Sequence, residues 1–232
     1  RTTRGILNCR DVFRPVQDSW LETPLHDQRA APSIRTSARG SKPPSAVRFA
    51  ASPWYAPAMV ALIALSGLPG VGKTTLARCV AARANAIHLR VDSVEAALKR
   101  STLAIKQAED AGYLALAAIA ADNLRLGFNV IADTVNPVKE SRELWAQSAA
   151  DSAANILNIE VICTDQALHR ERVETRKNDV KGLVLPSWQA VTQRVFEPWR
   201  EDRMVIDTSA MSASECAETI VQAMTRLSVT TP

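Results

Sequence analysis

The chain has 232 residues, a net charge of +4 and 47% hydrophobic residues, enough for one α/β domain with a buried core. No apolar run approaches the roughly 18 residues of a membrane-spanning helix. Four cysteines without CxxC spacing and three histidines argue against a zinc framework and for reduced thiols, hence a cytoplasmic setting.

The charge is uneven. Residues 1–58 hold nine Lys or Arg against four Asp or Glu, and residues 59–232 hold nineteen against twenty. The basic character belongs to the N-terminal segment, so the core offers no electrostatic case for nucleic acid. That segment also carries seven of the twelve prolines. A stretch such as "APSIRTSARGSKPPSAVR" cannot bury enough surface to offset its ordering entropy. Three readings stand for residues 1–58: a disordered extension, an Arg- and Ser-rich targeting peptide, or non-native sequence upstream of a start at Met59. Asp11, Asp18, Glu22 and Asp27 count against a targeting peptide. The folded domain is expected over residues 59–230.

From Met59, short apolar runs alternate with helical stretches. A buried strand over Met59–Leu65 feeds a glycine-rich loop, and a helix follows over Lys73–Asn85. A second strand covers Ile87–Val91, followed by a helix over Ser93–Arg100. An alanine-rich helix, Glu109–Leu126, is closed by Gly127. A third strand, Phe128–Ala132, precedes a helix from Pro137 to about Ala153. The fourth strand is Ile159–Cys163, with a charged helix over Gln166–Lys177 and another from Pro186 to about Phe196. The fifth strand is Arg203–Asp207, and Ser214–Leu227 forms the last helix. Five strands separated by helices predict a parallel sheet covered on both faces. Ligands of such sheets lie beyond the carboxyl ends of the strands.

After strand one stands Gly67-Leu68-Pro69-Gly70-Val71-Gly72-Lys73-Thr74, a full GxxxxGK[ST]. Its backbone N–H groups and the following helix N-terminus cradle phosphate oxygens. Lys73 reaches the β- and γ-phosphates, the Thr74 hydroxyl can ligate Mg²⁺, and Thr75 is a further candidate contact. After strand two stands Asp92. It is either a helix N-cap, with Ser93 as the other candidate, or a base for an acceptor hydroxyl. Glu95, one turn on, reads first as a solvated surface acid. After strand three stands Asp133, the Walker B carboxylate that helps hold Mg²⁺. The next residue is Thr134, where motor ATPases carry a water-activating Glu. Asn136 reads as a cap or an acceptor contact, and Arg142 as facing the cleft or solvent.

After strand four, Arg170, Arg172 and Arg176 share one helix. Each alone reads as solvated; together they read as a lid that stabilises the charge on a transferring phosphoryl group. Gly182 is a candidate hinge. After strand five, residues 207–213 are placed to line the base of a nucleotide, with Ser212 also a candidate cap. Tyr113, Asn136, Arg142 and Trp145 are candidate acceptor-pocket residues. Trp188 and Trp199 read as core packing, or else as lid or pocket residues.

Over nearly all of Met59–Leu227 these motifs resemble the small P-loop kinases. The likeness is to kinase-like proteins labelled AAA-family ATPases, a group similar to polynucleotide 5′-kinases, zeta toxins, chloramphenicol phosphotransferase and adenylyl-sulfate kinase. The resemblance implies a nucleoside-kinase-like P-loop NTPase with a helical lid, ATP and Mg²⁺, and γ-phosphate transfer to a hydroxyl of a small molecule. It implies a nucleotide loop at Gly67–Thr74, a general base at Asp92, a D-x-x-N pair at Asp133 and Asn136, and a lid arginine at Arg172 or Arg176. Polynucleotide kinases of this type carry Arg three residues after the base, where this chain has Glu95. A nucleic-acid end is therefore disfavoured as acceptor. The alternatives at this point are a nucleotide-binding regulatory ATPase with weak hydrolysis and a toxin- or resistance-type kinase.

Overall fold

A computed structural model describes residues 60–102, 105 and 107–229. Residues 1–58 and the readings made of them lie outside these. Five strands form one sheet in the order β2-β3-β1-β4-β5. They are β1 (Ala61–Ser66), β2 (Ile87–Arg90), β3 (Val130–Asp133), β4 (Asn155–Ile162) and β5 (Met204–Asp207). Every pairing is parallel, so each connection must cross over through a helix. The helices are α1 (Lys73–Ala84), α2 (Val91–Arg100), α3 (Ala111–Arg125), α4 (Lys139–Ala150), α5 (Gln166–Thr175), α6 (Trp188–Thr192) and α7 (Ala213–Val229).

The central strand shows why the sheet is covered twice. Ala61, Ile63 and Leu65 pack into a core with Leu76 and Val80 of α1 and Ile220 of α7. Leu62 and Ala64 point the other way, against Leu116 and Ala120 of α3 and Trp145 of α4. All six residues of β1 are buried, which a strand with period-two side chains achieves only when both faces are apolar.

The expected strands and helices are present with shifted bounds, notably at β4, α5 and α6. β4 begins at Asn155, four residues before the expected Ile159. Its first half pairs with β1, and the Asn155 N–H donates to Val60 O at 2.9 Å. α5 ends at Thr175, leaving Arg176 as an extended cap. α6 is a single turn from Trp188, its Ser187 hydroxyl accepting from Ala190 N–H at 3.2 Å. Gly127 follows α3 at φ 89, in the left-handed conformation that suits glycine after a helix. At the other end of the chain, Ser212 and Glu215 form a capping box for α7: the Ser212 N–H donates to Glu215, and the Glu215 N–H to Ser212 Oγ.

Candidate functional site

The carboxyl ends of β1, β2, β3 and β5 border one cleft of about 850 Å³. Its floor is the β1–α1 loop. Gly67 has φ +136, and a Cβ there would lie 2.2 Å from Val161 O. Gly70 has φ +87, and its Cβ would strike Val173 of α5 at 2.4 Å. These two glycines therefore let the loop turn tightly and let α5 close on it. The His169 ring fixes that contact, its Nε2 hydrogen-bonded to Pro69 O at 2.9 Å.

Lys73 is nearly buried, and its Nζ donates to Gly67 O at 2.8 Å and to Leu68 O at 2.9 Å. Burial pulls its pKa down to about 8; Asp133 and Asp92 oppose this, while Arg194 and Arg176 add to it. Asp133 is buried at the end of β3. Burial pushes its carboxyl upward, but the hydrogen bond with His88, the charge of Lys73 and a hydrogen bond from Thr74 carry it below the ordinary value. The His88 Nε2 lies 3.1 Å from Asp133 Oδ2, so the ring of β2 orients this carboxylate. A Thr hydroxyl and a carboxylate side by side form the hard-oxygen set that Mg²⁺ takes alongside phosphate oxygens.

Asp92 lies in the first turn of α2, which starts at Val91 with Arg90 in the cap position. Neither Asp92 nor Ser93 therefore caps this helix. The Asp92 carboxylate lines the cleft, 3.4 Å from Arg90 Nη2. Glu95, expected at the surface, is half-buried in the same wall. Burial pushes its carboxyl up, Lys99 opposes and Asp92 adds. Gly112 makes the room, since a Cβ there would lie 2.7 Å from Glu95 Cγ.

The charged residues of the expected lid separate into different environments. Arg170 is exposed and pairs with Glu174 one turn on. Arg172 donates from Nη1 to Thr208 Oγ1 at 2.8 Å and from Nη2 to Thr208 O at 3.2 Å. Thr208 Oγ1 in turn donates to Val71 O at 2.7 Å, so Arg172 ties the β5–α7 loop to the phosphate loop. Arg176 lines the cleft with its guanidinium unpaired among the described residues. Arg194, just after α6, lines the same wall. Its charge acts on Lys73, Glu95 and Tyr113. Sequence reading missed Arg194; its signal was the "QRVFEPW" run, which has no period that assigns it a face.

Most of the candidate acceptor-pocket residues form a brace instead. Asn136 has φ 46, a left-handed turn that Asn tolerates. Its Nδ2 donates to Leu65 O at 2.9 Å, and its Oδ1 accepts from Trp145 Nε1 at 3.0 Å. Arg142 is buried, neither in the cleft nor in solvent. It donates to Asn136 O at 3.2 Å, to Pro198 O at 3.3 Å and to Glu197 O, and stacks 4.2 Å from the Trp199 ring centroid. Trp188 packs edge-on against His169. Only Tyr113 of that set lines the cleft. Its hydroxyl accepts from Asn136 N–H at 3.2 Å, and burial raises its pKa to about 12. Thr134, where a motor ATPase has Glu, is buried and donates to Leu65 O at 3.2 Å.

Among the described residues, no helix is long and apolar enough to cross a membrane. A family model described as an AAA domain matches residues 62–198. Three solved structures share the fold. The Mycobacterium tuberculosis APS kinase CysC, in complex with AMPPNP and APS, is 15% identical with a TM-score of 0.54, covering 72% of this chain and 98% of its own. A gluconokinase from Sinorhizobium meliloti 1021 is 15% identical with a TM-score of 0.51, covering 73% and 94%. Chaetomium thermophilum Kti12, in complex with ADP-AlF3, is 23% identical with a TM-score of 0.52, covering 70% and 98%. No curated protein matches the sequence.

Proposed function

This chain belongs to the AAA domain family, as a kinase-like P-loop domain, and we propose that it is an ATP-dependent phosphotransferase acting on a hydroxyl of a small molecule. The observation that carries the proposal is a cleft carboxylate, Asp92, together with a strand end, Asp133, that is not followed by a second acid. Asp92 lines the cleft in which an acceptor would stand. The residue after Asp133 is a buried threonine with its hydroxyl already engaged. A base is present for an acceptor hydroxyl, and the second carboxylate that would activate water is missing.

In this reading the backbone of Gly67–Gly72 and Lys73 hold the phosphates, with Thr75 at the rim. Thr74 and Asp133 would hold Mg²⁺, which would neutralise charge on the phosphate oxygens. Asp92 takes the proton of the acceptor hydroxyl as its oxygen attacks the γ-phosphorus and ADP leaves. Arg176 and Arg194 stabilise the charge on the transferring group and exclude water. Arg172 holds the loop under them. Glu95, Lys99 and Tyr113 give the acceptor side a polar wall, suited to a hydroxyl-rich molecule.

The test is transfer of label from γ-³²P ATP to a panel of metabolites. ATP turnover that depends strictly on one acceptor supports the proposal. Turnover indifferent to every acceptor supports the regulatory ATPase instead.

A further inference from the structure

We infer that Arg90 and Asp179 form a clasp that positions Arg176 toward the phosphate loop. This makes Arg90 a positioning residue of the site. The inference rests on the reading that this loop holds ATP.

The geometry is specific. Arg90 ends β2, and its side chain is only 9% exposed. Its Nη1 donates to both carboxylate oxygens of Asp179 at 2.9 Å. Its Nη2 reaches Asp92 at 3.4 Å. Arg78 of α1 donates to the same Asp179 carboxylate, at Oδ2. One carboxylate of the segment after α5 is thus held by two cations of the nucleotide-binding core, while one of those cations also touches the candidate base. Arg90 Nε is buried with no hydrogen-bond partner among the described residues. Leaving such a donor unpaired is unfavourable, so the side chain is held there by what its other nitrogens do.

Arg176 stands three residues before Asp179, and α5 has already ended at Thr175. The α5 side is anchored by His169 on Pro69 and Arg172 on Thr208. The far side is anchored by Asp179. Arg176 is therefore suspended between two fixed points, at the wall of the cleft. The influence of its charge on Lys73 agrees with that placement. Releasing Asp179 frees one anchor while leaving both the phosphate loop and Arg176 chemically intact.

The experiment uses the full chain, Mg²⁺ and the non-transferable nucleotide AMPPNP, with affinity read by calorimetry. Asp179→Asn, Arg90→Gln and Arg176→Ala should each weaken binding about tenfold, as loss of a charge-assisted contact does. The double variant Asp179→Asn with Arg176→Ala should bind about as Arg176→Ala alone, because coupled residues are not additive. Arg90→Lys should restore part of the loss, since an ammonium cannot meet Asp179 with a fork. Trypsin should cut Asp179→Asn faster than the parent at Arg176, Lys177 and Lys181, which flank the clasp. Should Arg90→Gln fail to fold, Asp179→Asn, at a half-exposed position, carries the test alone. Parent-like affinity of Asp179→Asn, or additive losses in the double variant, overturns the clasp. A parent protein that does not bind Mg-AMPPNP overturns the ATP reading itself, and the clasp with it.

Discussion

The β3–α4 brace and the arginine-bearing wall of the cleft differ in how their charges are met. On the β3–α4 side, the groups that sequence reading offered to an acceptor are already satisfied. Asn136 bonds Leu65 and Trp145, and Arg142 bonds three carbonyls. On the side formed by residues 176–194, Arg176 and Arg194 line the cleft without side-chain partners among the described residues. A buried, fully bonded polar group fixes geometry. An unpaired charge at a cleft wall is available to a ligand. The brace side therefore shapes the site, and the arginine side answers to what enters it.

Substitutions should separate these sides. Lys73→Ala, at the floor they share, is expected to weaken Mg-ATP binding by about 100-fold, the scale of removing a buried charge partner; calorimetry reads it. Arg142→Ala should destabilise the fold by about 3 kcal/mol, because it strips a donor from three carbonyls at once. Urea denaturation measures that loss, and ATP affinity of the folded fraction should stay within about twofold of the parent. Arg194→Ala should do the reverse. Its exposed position predicts an unchanged melting temperature, with transfer kcat/KM down about tenfold. If Arg142→Ala lost nucleotide affinity and Arg194→Ala lost stability, the division between brace and wall would be wrong.

The smallest effect is pH. Lys73 has its pKa lowered from 10.5 to about 8 by burial. Bound phosphates favour its protonated form, so above about 8 binding must take up a proton. ATP affinity should be flat below that pH and fall above it, by at most about tenfold per unit. For stability the sign is opposite. The unfolded chain holds this proton up to its ordinary value, so between about 8 and 10.5 the contribution of Lys73 to stability rises with pH.

The sheet, the phosphate loop and the places of Asp92 and Asp133 at the cleft were legible because the strand ends of a parallel sheet lie along one edge. That rule works on local pattern. It finds which residues lie at the edge, and it cannot say whether a polar one faces the cleft or the protein. Asn136, Arg142 and Trp145 share the α4 side, and only their partners reveal a brace. Arg194 and Asp179 fall in segments without period. Asp179 meets Arg90 across 89 residues of chain, a distance no local spacing encodes. His88 was passed over because it stands mid-strand, where its neighbour Asp133 belongs to another strand. The early start of β4 was hidden by Asn155 and Asn158, polar residues at half-buried positions.

The proposed role of Asp92 is to serve an acceptor hydroxyl. The most direct measurement compares Asp92→Asn with the parent, in Mg-ATP affinity and in label transfer to the acceptor found by screening. Parent-like affinity is expected, with transfer reduced by about 100-fold or more. Parent-like transfer by Asp92→Asn would contradict it.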